Sequence, residues 1–291
     1  MPTSSESPHD PSPTLTRRAT RSGIPPLRDY FREAWRFKTF ALYWSAADIK
    51  ARNFDTWFGR FWHYLNPLLF GLIYFVFVGI VSDGFGDTER LAFIISNLYV
   101  WLFMSTTITS GVSSIQGGAG GIMAQSAIPR AILPIASTLT SFNLFLRSLV
   151  AYIPIHFGAG RTLHIENLWL PVLAVFMACL ALGLAMLTAV LNVYIRDVSR
   201  LLPHMLRLWM YLSPVIWEYT RISGDGAESL ARLNPMYPVM ASWTIAFGGR
   251  IEGSEFSMVM GVLVFGAIAM ATLAIGFLVF VAREDDFAVR N

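Results

Sequence analysis

Six stretches of largely apolar residues run through this chain, at 61–81, 91–108, 132–157, 168–194, 201–217 and 258–282. About 20 such residues in a row are what a helix needs to cross the hydrocarbon layer of a membrane. Composition points the same way, with 54% of residues hydrophobic, only 14% charged and a mean hydropathy of +0.51. A soluble fold of 291 residues cannot hide so much apolar surface. The chain reads as an all-α integral membrane protein with six transmembrane helices.

The stretch at 201–217 is the shortest and carries Pro203 at its third position. A seventh apolar run, 236–247, is too short to cross. It is bracketed by Asn234-Pro235, Pro238 and Gly248-Gly249, the pattern of a re-entrant outer helix pair before the last span. Residues 1–29 are rich in Ser, Thr and Pro near the start and read as a disordered cytosolic tail. Across 30–60, Phe37, Phe40, Ala41, Trp44 and Ala47 recur at helical spacing, while Arg36, Lys38 and Lys50 fall elsewhere. That is the signature of an amphipathic helix in the membrane interface. The six-span body then occupies 61–282, and 283–291 form a short C-terminus.

Six alternating spans put both termini on one side. That side carries sixteen of the 22 basic residues, the opposite side five, and Arg147 falls within a span. Such a bias places the termini in the cytosol of a multi-pass plasma (inner) membrane protein. The basic residues form no dense patch, which argues against a nucleic-acid partner.

The sequence offers little chemistry. One cysteine, Cys179, excludes a disulfide framework and a cysteine metal cluster. His9, His63, His156, His164 and His204 are scattered, and neither a metal site nor a catalytic group is expected. A phosphate loop needs glycine directly before its lysine, yet Phe37 precedes Lys38 and Ile49 precedes Lys50. No lysine follows Gly117-Gly118-Ala119-Gly120-Gly121. The chain therefore binds no cofactor and hydrolyses no ATP by that route. Arg147 is either a helix-packing cation or one that faces a polar pathway.

Four motifs carry a family resemblance. They are Asp48-Ile49-Lys50-Ala51-Arg52 with Gly59-Arg60-Phe61-Trp62-His63-Tyr64-Leu65-Asn66-Pro67-Leu68; Ile128-Pro129-Arg130-Ala131-Ile132-Leu133-Pro134; Leu191-Asn192-Val193-Tyr194-Ile195-Arg196-Asp197-Val198 with Tyr211-Leu212-Ser213-Pro214-Val215-Ile216; and Leu233-Asn234-Pro235-Met236. In this order they resemble ABC exporter permeases for polysaccharides and polyol phosphates, the membrane subunits that export O-antigens, capsules and teichoic acids. The tail and wording are most similar to the actinobacterial branch, which handles the lipid-linked galactan of the mycobacterial cell wall.

The resemblance implies a homodimer bound to two ATPase subunits that hold ATP and Mg, exporting a polyprenyl-pyrophosphate-linked glycan through a path between protomers. Pathway candidates are Tyr64, Tyr74, Phe142, Phe145, Arg147 and Trp209, since aromatic faces suit sugar rings. Arg52 and Arg60 are candidates for the lipid pyrophosphate, because a guanidinium fork matches such an anion. Coupling to the ATPase falls to Gly117, Gly118, Ala119, Gly120, Gly121, Gln125 and Arg130, with Arg196 and Asp197 in the next cytosolic loop. Asn234, Pro235, Tyr237, Pro238 and Trp243 would form an outer gate. Two other readings are open: a permease of this architecture for drugs or small lipids, and a membrane enzyme acting on lipid-linked sugars.

Overall fold

The computed structural model describes residues 26–51, 59–81, 88–116, 128–217, 233–249, 257–284 and 286–287. Arg52, Gly117, Gly118, Ala119, Gly120, Gly121 and Gln125 lie outside them, as do the side chains of Arg60 and His63. The helices are α1 (Leu27–Arg36), α2 (Lys38–Ala51), α3 (Trp62–Val81), α4 (Thr88–Gln116), α5 (Ile132–Gly158), α6 (Leu170–Tyr194), α7 (Val198–Leu212), α8 (Met236–Ala246) and α9 (Met258–Ala282). The described residues contain no strand. In hydrocarbon a helix bonds its own backbone, so an apolar chain has few other choices.

Four helices, α4, α5, α6 and α9, are long and apolar enough to cross a membrane. Helix α3 has 20 residues. Helix α7 has only 15, about 22 Å of rise, which is short of the ~30 Å apolar layer. The fifth apolar stretch thus does not cross as one helix. Leu206 and Met210 of α7 are buried against the bundle, whereas Leu201, Met205, Leu208 and Leu212 are exposed.

Helix α4 is the hub, packing on α3, α5, α6, α7 and α8. Helices α6 and α9 lie closest of all. A Cβ on Gly183 of α6 would come within 2.5 Å of the Thr272 carbonyl oxygen on α9, and one on Gly276 would run into the Gly183 carbonyl. Similarly, a Cβ on Gly111 of α4 would meet that of Ala185 on α6 at 2.5 Å. Water does not drive helices together inside lipid, so close approach over small residues supplies the packing energy.

The ends of the bundle differ. At one end the start of α1, the start of α5 and the segment after α9 meet through Tyr30, Arg130 and Glu284. At the other, the start of α4, the segment after α5 and the end of α8 meet around Arg161. The apolar stripe of 37–47 divides. Phe37, Phe40 and Ala41 pack with Ile132, Ala136 and Leu139 of α5. Trp44 is only partly covered, and Phe31, Trp35, Leu42 and Tyr43 face outward.

Gly276→Leu and Gly183→Val are each expected to destabilise by about 1–3 kcal/mol through overpacking. Thermal unfolding in detergent checks this. Gly158→Ala is the control and should leave the midpoint unchanged, because a Cβ there meets nothing within 4 Å.

Candidate functional site

Two cavities open side by side along α3 and α4. The first, of about 230 Å³, lies between α3, α4 and α5 and is lined by Trp62, Asn66, Phe70, Tyr99, Leu102, Phe103, Thr106, Ser141, Leu144, Phe145 and Ser148. The second, of about 210 Å³, lies between α3, α4 and α7, with Tyr74, Trp101, Ser105, Thr109 and Arg207 in its wall. Phe70, Leu102 and Thr106 belong to both, which makes them one furrow. Its surface combines aromatic faces with hydroxyl groups. Among the described residues, no charged one lines the first cavity and Arg207 lines the second.

Helical spacing explains the arrangement. Ser141, Leu144, Phe145 and Ser148 share one face of α5, and Tyr99, Leu102, Phe103 and Thr106 share one face of α4. Most of the hydroxyls near the furrow donate back to their own helix. Thr109 donates to the Ser105 carbonyl at 2.7 Å and Ser148 to that of Phe145 at 2.7 Å. Tyr99 and Ser141 are different. They are 1% and 3% exposed, and their hydroxyls have no hydrogen-bond partner among the described residues.

Of the pathway residues singled out from the sequence, Tyr74 lines the second cavity and Phe145 the first. Phe142 stands beside them, its ring centroid 6.2 Å from that of Phe145 and 5.8 Å from that of Phe103. Tyr64 is half-buried on α3. Trp209 meets Trp101 edge to face at 5.6 Å, on the bundle side of α7. Arg147 is half-buried, and its Nε donates to Asn143 Oδ1 at 3.0 Å, one turn back on the same helix. Neither Arg147 nor Tyr64 lines either cavity. Sequence reasoning missed Asn66, Tyr99, Ser141 and Arg207. The helical spacing of Ser141, Phe145 and Ser148 was the available signal for α5, while Arg207 had been counted with the ordinary cations of the terminal side.

Where α7 stops, its last four carbonyls each find a donor. The Ser213 hydroxyl donates to Trp209 O at 2.8 Å and the Ser213 N–H to Met210 O at 3.2 Å. Trp217 Nε1 donates to Tyr211 O at 2.9 Å, and Asn234 Nδ2 to Leu212 O at 3.1 Å. Asn234 also donates to Ser213 Oγ at 3.0 Å, and its Oδ1 accepts from Trp209 Nε1 at 3.1 Å and Met236 N at 3.0 Å. Every hydrogen-bonding position of this amide is used. It joins the end of α7 to the start of α8.

Helix α8 is buried along nearly its whole length, Tyr237, Pro238 and Trp243 included, while Pro235 just ahead of it is exposed. Trp243 Nε1 donates to the Ser96 carbonyl at 3.2 Å, Asn97 Nδ2 to Thr244 Oγ1 at 3.1 Å and Asn167 Nδ2 to Ala246 O at 2.8 Å. Beyond its end, Arg161 has a side chain only 4% exposed. It forms a two-pronged pair with Glu89, at 2.6 Å from Nη2 and 2.9 Å from Nε, and its Nη1 reaches the Tyr152 hydroxyl at 3.1 Å. Burial works against the guanidinium charge, but the Glu89 and Tyr152 contacts outweigh it and raise its pKa.

At the opposite end, the Tyr30 hydroxyl donates to Glu284 Oε2 at 2.7 Å and the Arg130 N–H to Glu284 Oε1 at 2.7 Å. Burial, then the Glu284 carboxylate, pushes the Tyr30 pKa far up, so it remains a donor. The Arg130 guanidinium lies 6.0 Å from the Phe287 ring centroid. Arg196 and Asp197 are exposed just after α6, where buried Asn192 accepts from the Ser199 N–H at 3.0 Å and so caps α7. Tyr194 donates to Asp286, tying the end of α6 to the segment after α9.

A helical bundle with a hydroxyl- and ring-lined furrow is what a membrane permease presents. No family model matches the chain. It is 25% identical over 262 residues to the O-antigen export system permease protein RfbA of Myxococcus xanthus, covering 88% of this chain and 97% of that protein. Two proteins of the same name from Klebsiella pneumoniae are 24% identical over 214 residues and 23% over 242, covering 73% and 83% of this chain and 82% and 90% of theirs. The resemblance carried by the four motifs is thus borne out over most of the chain and of each relative.

Asn234→Leu strands the Leu212 carbonyl, the Trp209 indole N–H and the Met236 N–H together. It is expected to destabilise by about 1–2 kcal/mol, because the bonds lost are part-buried or exposed and each contributes about 0.5–1.5 kcal/mol at most. Asn234→Asp keeps the acceptor and should lose less. Unfolding midpoints of the two variants in detergent check the order. Glu89→Gln should weaken the clamp on Arg161 and lower protection of α8 against hydrogen exchange, with the α6–α9 contact unaffected.

Proposed function

We propose that this chain is the membrane-embedded subunit of an ABC exporter that moves a lipid-linked polysaccharide of the O-antigen or galactan type across the plasma (inner) membrane. The likeness to O-antigen export permeases along most of its length carries this reading. Energy comes from a separate ATPase subunit that holds the ATP and Mg, and two copies of the chain pair with two of that subunit. A polysaccharide is too polar to enter hydrocarbon, and the furrow of rings and hydroxyls is a surface it can slide over without a fixed hydroxyl pattern.

In this reading the chain crosses six times with both termini cytosolic. Helix α3 makes the first passage, α7 with the segment after it makes the fifth, and α8 is part of a re-entrant pair from the outside. Its burial beside Ser96 and Asn97 supports that role, in which Asn234, Pro235, Tyr237, Pro238 and Trp243 form an outer gate. The outward Phe31, Trp35, Leu42 and Tyr43, with Lys38 over the Trp35 ring at 4.6 Å, suit an interface position for α1 and α2. Arg52, Arg60 or Arg147 meets the carrier's pyrophosphate. The segment 114–130 and the Arg196-Asp197 turn touch the ATPase, and Glu284 holds the end of the first of these in place.

Co-expression with the ATPase subunit and purification through this chain tests the assignment, and the ATPase should copurify. Cysteines at Ala119 or Gln125 should crosslink to it, and a cysteine at Asp225 should not. Equal capture from both sides would overturn the orientation. In vesicles, Ala at Arg52, Arg60 and Arg147 should lower export by about tenfold for at least one of the three, the loss of one charge-assisted contact.

A further inference from the structure

Helix α1 carries a pattern that the spans and the furrow do not use. Arg28, Arg32 and Arg36 recur every fourth residue, so they form one ridge along the helix, and all three are exposed. Among the described residues none of them is held in an ion pair. On one flank of the ridge stand Phe31 and Trp35, 56% and 69% exposed. Asp29 and Glu33 stand on the other flank, also exposed. Tyr30 and Ala34 occupy the remaining side, where they pack on the bundle. Lys38, just past the helix, adds a fourth cation, its Nζ 4.6 Å from the Trp35 ring centroid.

Contacts fix both the rotation and the depth of this helix. The Tyr30 hydroxyl, bonded to Glu284 at 2.7 Å, holds its own face inward and so turns the arginine ridge outward. Phe31 stacks on Phe277 of α9 at 4.6 Å, and Tyr30 meets the same ring edge to face at 5.8 Å. Phe277 precedes the end of α9 at Ala282 by about 8 Å of helical rise. Helix α1 therefore lies level with the last turns of a helix long and apolar enough to cross the membrane, and not beyond them.

We infer that α1 is a binding surface for the headgroups of anionic phospholipids. Phe31 and Trp35 enter the acyl boundary, the arginine ridge falls at the level of the lipid phosphates, and Asp29 and Glu33 turn to water. Rings, then cations, then acids around one helix is the order that a helix lying in the interface requires. A cation held at that level favours an anionic lipid about fivefold, and the guanidinium fork matches the oxygens of a phosphate. An acidic protein in the same place would have to reach Phe31 at membrane depth, where lipid is the neighbour. The inference rests on the interface position proposed for α1 and adds its ligand.

The test uses the full chain in nanodiscs of phosphatidylcholine with about one fifth phosphatidylglycerol. Bromines on the acyl chains quench tryptophan on contact, and the Trp35 signal is the difference between each protein and its Trp35→Phe counterpart. Brominated phosphatidylglycerol should quench Trp35 about threefold more than the same share of brominated phosphatidylcholine, because a fivefold preference raises its share at the site from about one fifth to about one half. Combining Arg28→Gln, Arg32→Gln and Arg36→Gln changes only exposed groups and should keep the unfolding midpoint. In that variant the ratio should fall to about one, while a fully brominated bilayer still quenches Trp35. Arg32→Gln alone should lower the ratio part-way, which keeps the test open if the combined variant does not fold. Arg200→Gln removes a cation of α7 whose side chain is 88% exposed and should leave the ratio unchanged. A wild-type ratio of about one, or an equal fall with Arg200→Gln, would overturn the headgroup site and leave the interface position standing. Trp35 unquenched by a fully brominated bilayer would overturn both and give that face to a protein partner. Copurification of the ATPase does not enter the ratio, so the exporter reading and the lipid site can each fail alone.

Discussion

A helix end leaves four carbonyls with no partner in the helix itself. The structure around α7 follows from how that debt is met. Ser213, Trp217 and Asn234 supply a donor to each of the four, and Asn234 arrives from 21 residues further along the chain than Ser213. The same amide accepts from Met236 N and so starts α8. The interruption of the fifth apolar stretch and the burial of the short helix are therefore one feature, held by one side chain. The motif residues Ser213 and Asn234 lie far apart in sequence because they close a single junction.

The remaining polar groups divide between the two ends of the bundle. Around Arg161, one cation joins the start of α4, the end of α5 and the end of α8. Around Glu284, one carboxylate joins α1, the start of α5 and the segment after α9. Between these clamps, α4, α6 and α9 are fastened by glycines that leave no room for a side chain. Helix α3 joins this fastening at one point, where a Cβ on Gly71 would meet Ile95 of α4 at 2.6 Å, whereas α7 contains no glycine. Their exposed faces carry Phe77, Ile80, Leu208 and Leu212, and the furrow runs where they meet α4. The mechanical contrast is between a glycine-packed core, with α3 held to it at Gly71, and α7, set against it across a cavity.

Much of this was legible from hydropathy, because span-length apolar runs have few alternatives in a membrane. Helices α4, α5, α6 and α9 sit where such runs lie. The break at the end of α7 has a local signal in Pro214, since the residue before a proline is disfavoured in the helical region and Ser213 is extended there; the Asn234 clamp that bonds the freed Leu212 carbonyl is a contact across sequence that periodicity does not report. The stripe of Phe37, Phe40 and Ala41 was read as facing the interface, and it packs on α5 instead, because a helical stripe states that one face is covered and not by what. Arg207 shows the same limit. Counting cations assigns it a side, whereas only the packing of α3 against α7 places it in the wall of a cavity. Tyr64, Phe142 and Trp209 were chosen as aromatics on the right helices, and rings on a helix reach the furrow or the core according to a rotation that one sequence does not specify.

Apart from Arg207 and Asn66, hydroxyls make the described walls of the furrow polar, and the reason lies in the cost of burying a charge. A serine or threonine in a helix can return its hydrogen to a carbonyl of the preceding turn, as Thr107 does to Phe103, Thr138 to Pro134, Thr140 to Ala136 and Thr188 to Leu184. Such a group is at home in hydrocarbon and shows only acceptor lone pairs to its surroundings. A wall built from these alone would receive hydrogen bonds and give none. In the second cavity the Arg207 guanidinium supplies the donors that such a wall lacks.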